Sequence, residues 1–322
     1  MKRIAVFTSG GDAPGMNACI RAVVRTALFH KIEVYGIIKG YDGMISGDFI
    51  SMDAKSVANI IQRGGTILKT VRSEKFLTDE GREKAKQNLK KNKIDGVVAI
   101  GGDGTLRGAL VFSKICSIPF MGCPGTIDND LTGTDFTIGY DTAINTFVEA
   151  VDKIRDTAES HERLFFVEVM GRDAGLIALR SGIGVGAESI LIPETKTNLS
   201  DLIRRLKNSR KNKSSKIIIV SEHDDAGRAF AIAEKVKKML PEYDTRVTVL
   251  GHIQRGGNPT AIDRVNASCM GFAAVEALKA GKKNVMIGIV NKEIVYTPFA
   301  KCVKHIEKPN SDLLRMMEIL SL

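Results

Sequence analysis

Two glycine-rich turns that carry acids are the part of this sequence best suited to chemistry. Residues 101–105 read GGDGT, and residues 124–130 read PGTIDND. Glycine lets backbone N–H groups approach a phosphate closely, and a helix predicted to begin near Leu106 would point its positive end at such a ligand. A carboxylate in this nest would repel phosphate unless a cation lay between them, so Asp103 indicates a Mg²⁺ site.

The second turn places Asp128 and Asp130 two residues apart, beside the hydroxyl of Thr126. On an extended segment both acids point the same way. One could take a proton from a hydroxyl while the other holds metal or orients its neighbour, so the two turns together predict phosphoryl transfer. Either turn alone could be an ordinary loop, because Gly and Asp are standard turn residues.

The elements that must position these turns are short buried strands. Apolar runs at residues 96–100 and 118–123 precede them, and the carboxyl ends of such strands hold ligands in open α/β sheets. Residues 4–8 form a similar run before the loop at residues 9–17, which is followed by a predicted helix over residues 18–28. Short strands alternate with helices along the whole chain, which predicts an α/β fold with mostly parallel sheets.

The bulk composition predicts a soluble, cytoplasmic protein. The 322 residues are 43% hydrophobic and 26% charged, enough for two domains with full cores. The sequence contains no run of eighteen apolar residues, so no membrane span is predicted. The first residues lead straight into a predicted strand and do not resemble a signal peptide. Five scattered cysteines without C-x-x-C spacing are expected to be free thiols.

The net charge of +10 makes nucleic acid a partner to consider. The aromatic content is 6% with no Trp, and no helix-turn-helix, zinc or RNA-binding signature occurs. The arginines stand singly beside glycine turns, which favours small phosphorylated ligands. We therefore expect neither a nucleic-acid nor a membrane partner.

Five motifs carry a resemblance to a known family. They are TSGGDAPGMNA at 8–18, IGGDGT at 100–105, PGTIDND at 124–130, EVMGR at 168–172 and GHIQRGG at 251–257. GGDGT alone is shared with NAD kinases and diacylglycerol-type lipid kinases, whereas the set in this order is specific. Over essentially its whole length the chain resembles the bacterial-type ATP-dependent 6-phosphofructokinases.

The resemblance implies two Rossmann-like three-layer domains with the active site in the cleft between them. Residues 1–138 with 251–304 would form the larger, ATP-binding domain, and residues 139–250 with 305–322 the smaller, fructose-6-phosphate-binding domain. The implied reaction transfers the γ-phosphoryl group of Mg-ATP to the 1-hydroxyl of fructose 6-phosphate. The products are fructose 1,6-bisphosphate and ADP.

The resemblance also assigns roles to individual residues. The catalytic set is Asp128, Thr126, Asp130, Arg172 and Gly11, with Asp103 as the Mg²⁺ residue. The ATP site comprises Gly11, Arg72, Ser73, Gly102, Asp103, Gly104 and Thr105. The sugar-phosphate site comprises Thr126, Ile127, Asp128, Arg163, Met170, Gly171, Arg172, Glu222, Arg246, His252, Ile253, Gln254 and Arg255. Arg163 and Arg246 are expected to reach the substrate of a neighbouring subunit, which implies a homotetramer and gives a basis for cooperativity.

An effector site for ADP and phosphoenolpyruvate is implied as well. Arg21 and Arg25 lie four residues apart and so share a helix face, which on a generic helix would simply be a solvated edge. The implied effector residues are Arg21, Ala22, Val23, Val24, Arg25, Arg155, Gly186, Ala187, Glu188, Lys211, Lys213, Ser214 and Ser215.

Two glycines bear on the phosphoryl donor. Pyrophosphate-dependent relatives carry Asp at the position of Gly104 and Lys at that of Gly125, so ATP is favoured here. A pyrophosphate-dependent enzyme, a tagatose-6-phosphate kinase and an inactive regulatory subunit remain alternatives, although the last would be expected to lose its active-site acids. Ser73, Leu77 and Asn59 depart from the common family pattern, which leaves nucleotide affinity and effector response open.

Overall fold

A computed structural model of the chain describes residues 1–208, 215–302 and 311–320. Its residue contacts divide it into two compact units. Unit 1 is Met1–Thr142 with Arg255–His305, and unit 2 is Ala143–Gln254 with Ile306–Leu322. The assignment of ATP to one unit and of sugar phosphate to the other stays a prediction. Among the described residues, no helix is both long and apolar enough to cross a membrane.

Unit 1 is built on one sheet, which over the described ranges has seven strands in the order β11-β10-β5-β4-β1-β2-β3. The strands are β1 Arg3–Ser9, β2 Glu33–Ile37, β3 Phe49–Met52, β4 Gly96–Gly101, β5 Phe120–Pro124, β10 Val285–Val290 and β11 Glu293–Pro298. The edge strands β3 and β11 pair antiparallel, and the others pair parallel. Every residue of β4 and β5 is buried, which explains their unbroken apolar runs.

Helices pack on this sheet and bury its apolar side chains. They are α1 Met16–Phe29, α2 Gly40–Ser46, α3 Asp79–Lys91, α4 Asp103–Ser113 and α9 Ala261–Lys279. The largest fully buried side chains include Phe7, Phe112 and Phe120. Helix α3 is stabilised at both ends, since Thr78 caps its first turn and two lysines occupy its last turn.

Unit 2 contains a four-stranded sheet in the order β7-β8-β6-β9, with all pairs parallel in the described part of the chain. Its strands are β6 Leu164–Val169, β7 Ser189–Leu191, β8 Lys216–Ser221 and β9 Thr245–Val249. Its helices are α5 Tyr140–Ser160, which begins in unit 1, α6 Leu176–Gly184, α7 Leu199–Asn208, α8 Ala229–Met239 and α10 Ser311–Leu320. The buried carboxylate of Glu168 in β6 accepts a 3.0 Å hydrogen bond from the Ala229 amide, which satisfies the first turn of α8.

A buried acid, Asp263, fixes the start of α5. Its carboxylate accepts hydrogen bonds from the amides of Gly139 and Thr142, each at 2.8 Å, and another from the Thr142 hydroxyl. Burial raises the pKa of Asp263, while these hydrogen bonds act in the opposite direction. The end of the segment that follows β5 is thereby attached to the first turn of α9.

Candidate active site

The two acid-bearing turns lie side by side at the carboxyl edge of the seven-stranded sheet. Strands β4 and β5 are parallel neighbours, with Gly101 opposite Pro124. The amide of Gly125 donates a 3.0 Å hydrogen bond to the carbonyl of Gly101. A side chain on Gly102 would come within 3.3 Å of Thr126 Cβ. The prediction that each turn follows a buried parallel strand is therefore confirmed, and the structure adds that the two strands are neighbours.

The first turn leads directly into α4, three residues earlier than the predicted start at Leu106. Gly102 precedes the helix and its carbonyl accepts hydrogen bonds from Thr105 and Leu106, so Asp103 is the first helical residue. The Thr105 hydroxyl donates to the carbonyl of Ser9 at 3.0 Å and fixes α4 to β1. A Cβ on Gly104 would meet nothing within 4 Å, so no described contact of the chain requires glycine there.

Asp103 has surroundings that suit a shared magnesium ion. Its side chain is 20% exposed at the N-terminus of α4, and Arg107 Nε donates to one carboxylate oxygen at 3.0 Å. No group of three or more His, Cys, Asp or Glu in the described ranges could hold a metal alone. A single carboxylate fits Mg²⁺ when nucleotide phosphates and water supply the other ligands. The magnesium assignment stays a prediction.

The second turn buries its functional groups. Thr126, Asp128 and Asp130 are 7%, 3% and 7% exposed. The Asp128 amide donates to the Thr126 hydroxyl oxygen at 3.2 Å, and the Thr137 hydroxyl donates to the Thr126 carbonyl at 2.6 Å. Asn129 adopts a left-handed conformation, with φ 54°. These bonds hold the backbone of the turn that carries Asp128.

The loop after β1 forms the neighbouring part of this edge. Arg255 Nη1 donates to the carbonyl of Asp12 at 3.0 Å, and a side chain at Gly11 would come within 2.6 Å of the same nitrogen. Glycine at position 11 therefore allows the Arg255 guanidinium to lie against the loop.

The segment that carries Arg72 is attached to the same loop. The Thr70 hydroxyl donates to the carbonyl of Gly10 at 2.8 Å, and Arg72 itself is exposed. The Ser73 hydroxyl, an expected ATP contact, donates to the Asp42 carboxylate and accepts from the Phe76 amide. That hydroxyl is thus used inside the protein.

Within unit 2, the expected sugar-phosphate residues gather at the carboxyl edge of its sheet. Glu222, after β8, accepts hydrogen bonds from the amides of Gly171 and Arg172 at 3.2 and 2.9 Å. The buried Gln254 accepts from the Met170 amide at 2.9 Å. Two further members of this set, His252 and Ile253, are exposed in the turn after β9.

Arg163 and Arg246 lie at the opposite edge of the same sheet. Both contact Asp244, with Arg163 Nε and Arg246 Nη1 each 2.7 Å from one of its carboxylate oxygens. The hydrogen bond from Arg163 lowers the pKa of Asp244. Strand β6 alone spans roughly 20 Å, so neither arginine reaches the turn at Arg172 within one chain. The fold does not bring these two arginines to the other sugar-phosphate residues.

The expected effector residues fall in both units. On α1, Ala22, Val23 and Val24 are buried, so Arg21 and Arg25 are the members whose side chains face outward. Burial, followed by the charge of Arg25, lowers the pKa of Arg21. Two cations on one helix face favour an anion as ligand.

The unit 2 members lie where β7 and β8 begin. The Arg155 guanidinium donates to the carbonyl of Val185, next to Gly186 at φ 59°. Ala187, Glu188 and Ser215 are buried. The expected effector residues Lys211, Lys213 and Ser214 lie outside the described residues.

Several residues that hold these sites were missed by the sequence interpretation. Asp263, Asp244 and Asn17 belong to this group; Asn17, for example, is buried and binds the carbonyls of Arg63 and Gly64. Their partners are distant in sequence, so no local spacing indicates their roles. Asp263 does lie close after the GHIQRGG motif, which is the one signal that could have drawn attention to it.

The sequence of this chain is similar to those of known phosphofructokinases over its full length. The family model described as Phosphofructokinase matches residues 3–278. The ATP-dependent 6-phosphofructokinase of Cytophaga hutchinsonii is 58% identical over 100% of this chain and 98% of its own. ATP-dependent 6-phosphofructokinase 1 of Thermus thermophilus is 54% identical over the full length of both chains.

Solved structures show the same fold. Phosphofructokinase from Saccharomyces cerevisiae superposes with a TM-score of 0.89 at 36% identity, covering 100% of this chain, which spans about half (48%) of that one. A pyrophosphate-dependent phosphofructokinase from Marinobacter aquaeolei, at 24% identity, has a TM-score of 0.86 over 99% of this chain and 91% of its own, and supports the fold alone. The expected α/β fold is thus confirmed, and this chain belongs to the phosphofructokinase family.

Proposed function

We propose that this protein is an ATP-dependent 6-phosphofructokinase, which transfers the γ-phosphoryl group of ATP to the 1-hydroxyl of fructose 6-phosphate. The observation that carries the proposal is the contact between the two acid-bearing glycine turns, joined by the hydrogen bond from Gly125 to Gly101. The names of the bacterial relatives that match the whole chain support the same activity.

In this mechanism Asp128 is the general base. Its carboxylate accepts the proton of the sugar 1-hydroxyl, the oxygen bonds to the γ-phosphorus, and the bond to the bridging β–γ oxygen breaks to release ADP. Phosphoryl transfer depends mainly on positioning and on neutralising phosphate charge. A carboxylate that is 3% exposed and held by its own turn is suited to such positioning.

The first turn would hold the nucleotide. The amides at the start of α4 favour phosphate oxygens, and Arg72 adds positive charge. Asp103 would hold Mg²⁺, which neutralises charge on the phosphates when it is bound. Asp130 and Thr126 would keep the second turn and its base in register with this site.

The structure of the two diagnostic glycines supports ATP as donor. Gly104 faces open space, which leaves room for a nucleotide. At Gly125 a Cβ would lie 3.0 Å from Met16 Cε and 3.2 Å from Ile100 Cγ2, so a lysine there would have to displace buried side chains. With glycine at position 125, this chain lacks the lysine charge that pyrophosphate would require.

Sugar-phosphate recognition would come from Met170, Gly171, Arg172, Glu222 and the residues around Gln254. Arg163 and Arg246 lie at the other edge of the sheet in the same chain, which supports their action on the substrate of a neighbouring subunit. The enzyme is therefore proposed to be a homotetramer whose substrate binding is coupled to quaternary state. As a glycolytic enzyme it would act in the cytoplasm.

We propose that the outward-facing Arg21 and Arg25 of α1, together with Arg155 and residues 186–188, bind ADP and phosphoenolpyruvate. The two neighbouring cations Arg21 and Arg25 and the left-handed turn at Gly186 support an anion as the ligand of this effector site.

A coupled assay tests the proposed function. Purified protein is given fructose 6-phosphate with Mg-ATP, with pyrophosphate, or with ATP and excess chelator, and tagatose 6-phosphate replaces the acceptor in a parallel series. We expect turnover with Mg-ATP and fructose 6-phosphate, loss on chelation, and a response to ADP and phosphoenolpyruvate. Faster turnover with pyrophosphate, or with tagatose 6-phosphate, would contradict the proposal, and light scattering of the same sample gives its oligomeric state.

A further inference from the structure

The turn that carries Arg172 has an unfavourable backbone conformation. Arg172 has φ 53°, a left-handed value that costs a non-glycine residue about 1–2 kcal/mol. The preceding Gly171 has φ 151°, and a side chain there would come within 2.5 Å of the Ala174 carbonyl oxygen. Such a conformation persists only when neighbouring groups hold it. Two consecutive residues after β8 supply those groups.

Glu222 and His223 contact the Arg172 turn at three successive positions. The Glu222 carboxylate accepts from the amides of Gly171 and Arg172, as described above. His223 Nδ1 and Asp173 Oδ1 are 2.9 Å apart, and this pair is about half exposed, at 47% and 51%. The Glu222 amide also donates to the Val169 carbonyl at 2.9 Å, which extends the β6–β8 ladder to the turn.

Asp173 is the acid that His223 contacts. The charged groups on the loop of His223 and on the turn it contacts are Glu222, Asp224, Asp225, Arg228, Arg172 and Asp173. Asp224 and Asp225 are directed to another segment, because their carboxylates accept hydrogen bonds from the Thr197 hydroxyl and amide. The Asp173 carboxylate is therefore the acidic group of this set that contacts the imidazole.

We propose that Asp173 and His223 are positioning residues, which hold Arg172 in its left-handed turn for the sugar phosphate. The inference rests on the proposed role of Arg172 as a sugar-phosphate contact. Because the pair contacts the Arg172 turn and not the turn of Asp128, its loss is expected to weaken the binding of fructose 6-phosphate and to leave the chemical step unchanged.

The test compares the half-saturating fructose 6-phosphate concentration of Asp173→Asn with that of the intact enzyme, as a ratio of the two. We expect a ratio of about two to five, with turnover and ATP half-saturation unchanged. A purely structural role would lower turnover and ATP binding as well. His223→Gln gives the same result, and the double variant is no worse than either single variant.

Two further variants separate the possible failures. Asp225→Asn removes a negative charge from the same loop without touching the pair, and its ratio should be about one. Arg172→Gln should raise half-saturation about tenfold or more, the usual scale for a lost charged contact. If Arg172→Gln has this effect while Asp173→Asn has a ratio of one, the pair is a surface pair only and the inference is overturned. If Arg172→Gln has no effect, the sugar-phosphate assignment itself fails.

Discussion

The turns at the carboxyl edges of the two sheets are held by different kinds of group. In the seven-stranded sheet, Gly125 and Thr105 donate to the carbonyls of Gly101 and Ser9, groups that do not titrate. In the four-stranded sheet, the turn at Arg172 is held by the side chains of Glu222 and His223. The region that carries the proposed base is thus held by uncharged groups, whereas the proposed sugar-phosphate region is held by ionisable side chains.

The largest expected effect is in the region that uncharged groups hold. Asp128→Ser removes the proposed base, and turnover should decrease by at least about 100-fold, the scale for losing general-base catalysis. Because the neighbouring backbone contacts remain, ATP and fructose 6-phosphate should still bind in equilibrium titrations. Turnover close to that of the intact enzyme would remove Asp128 from the mechanism.

An intermediate effect is expected where a carboxylate holds the turn. Glu222→Gln keeps an acceptor but loses the charge that binds two amides, so fructose 6-phosphate half-saturation should rise about tenfold with a smaller change in turnover. Glu194→Gln is a matched control, because its carboxylate accepts from the Gly175 amide at 2.7 Å and carries the same charge. An equal rise in both variants would show that general charge, and not the contact with Gly171 and Arg172, sets the affinity.

The smallest expected effect separates stability from nucleotide binding in the first turn. Gly104→Ala adds a methyl group in open space, so the free energy of unfolding in urea should stay the same or increase by up to about 1 kcal/mol. The ATP half-saturating concentration should nevertheless rise by about threefold or more (RT ln 3 is about 0.65 kcal/mol), because the methyl group occupies nucleotide space. Gly184→Ala, at the end of α6, serves as the control for helix propensity. A variant that binds ATP normally would contradict the assignment of Gly104.

Much of the local structure was predictable because it depends on short-range physics. The strands β1, β4 and β5 and the helix α10 follow from apolar runs and periodicity. The edge strands β3 and β11 were not predicted, since both alternate little and are partly exposed. The sequence also did not predict the hydrogen-bond partners of the Ser73 and Thr105 hydroxyls. Those partners, Asp42 and Ser9, lie elsewhere in the chain.

The sequence by itself determined which acids and glycines follow which strands, because a buried strand and a glycine turn are both written in a few consecutive residues. Only the tertiary structure decided which of these turns touch, since the strand order β5-β4-β1 arises from crossovers that no local pattern records. It also paired Glu222 with Arg172 and Arg163 with Asp244, across 50 and 81 residues of chain. Contacts over such separations depend on how whole elements pack, and a residue's type alone does not reveal its partner.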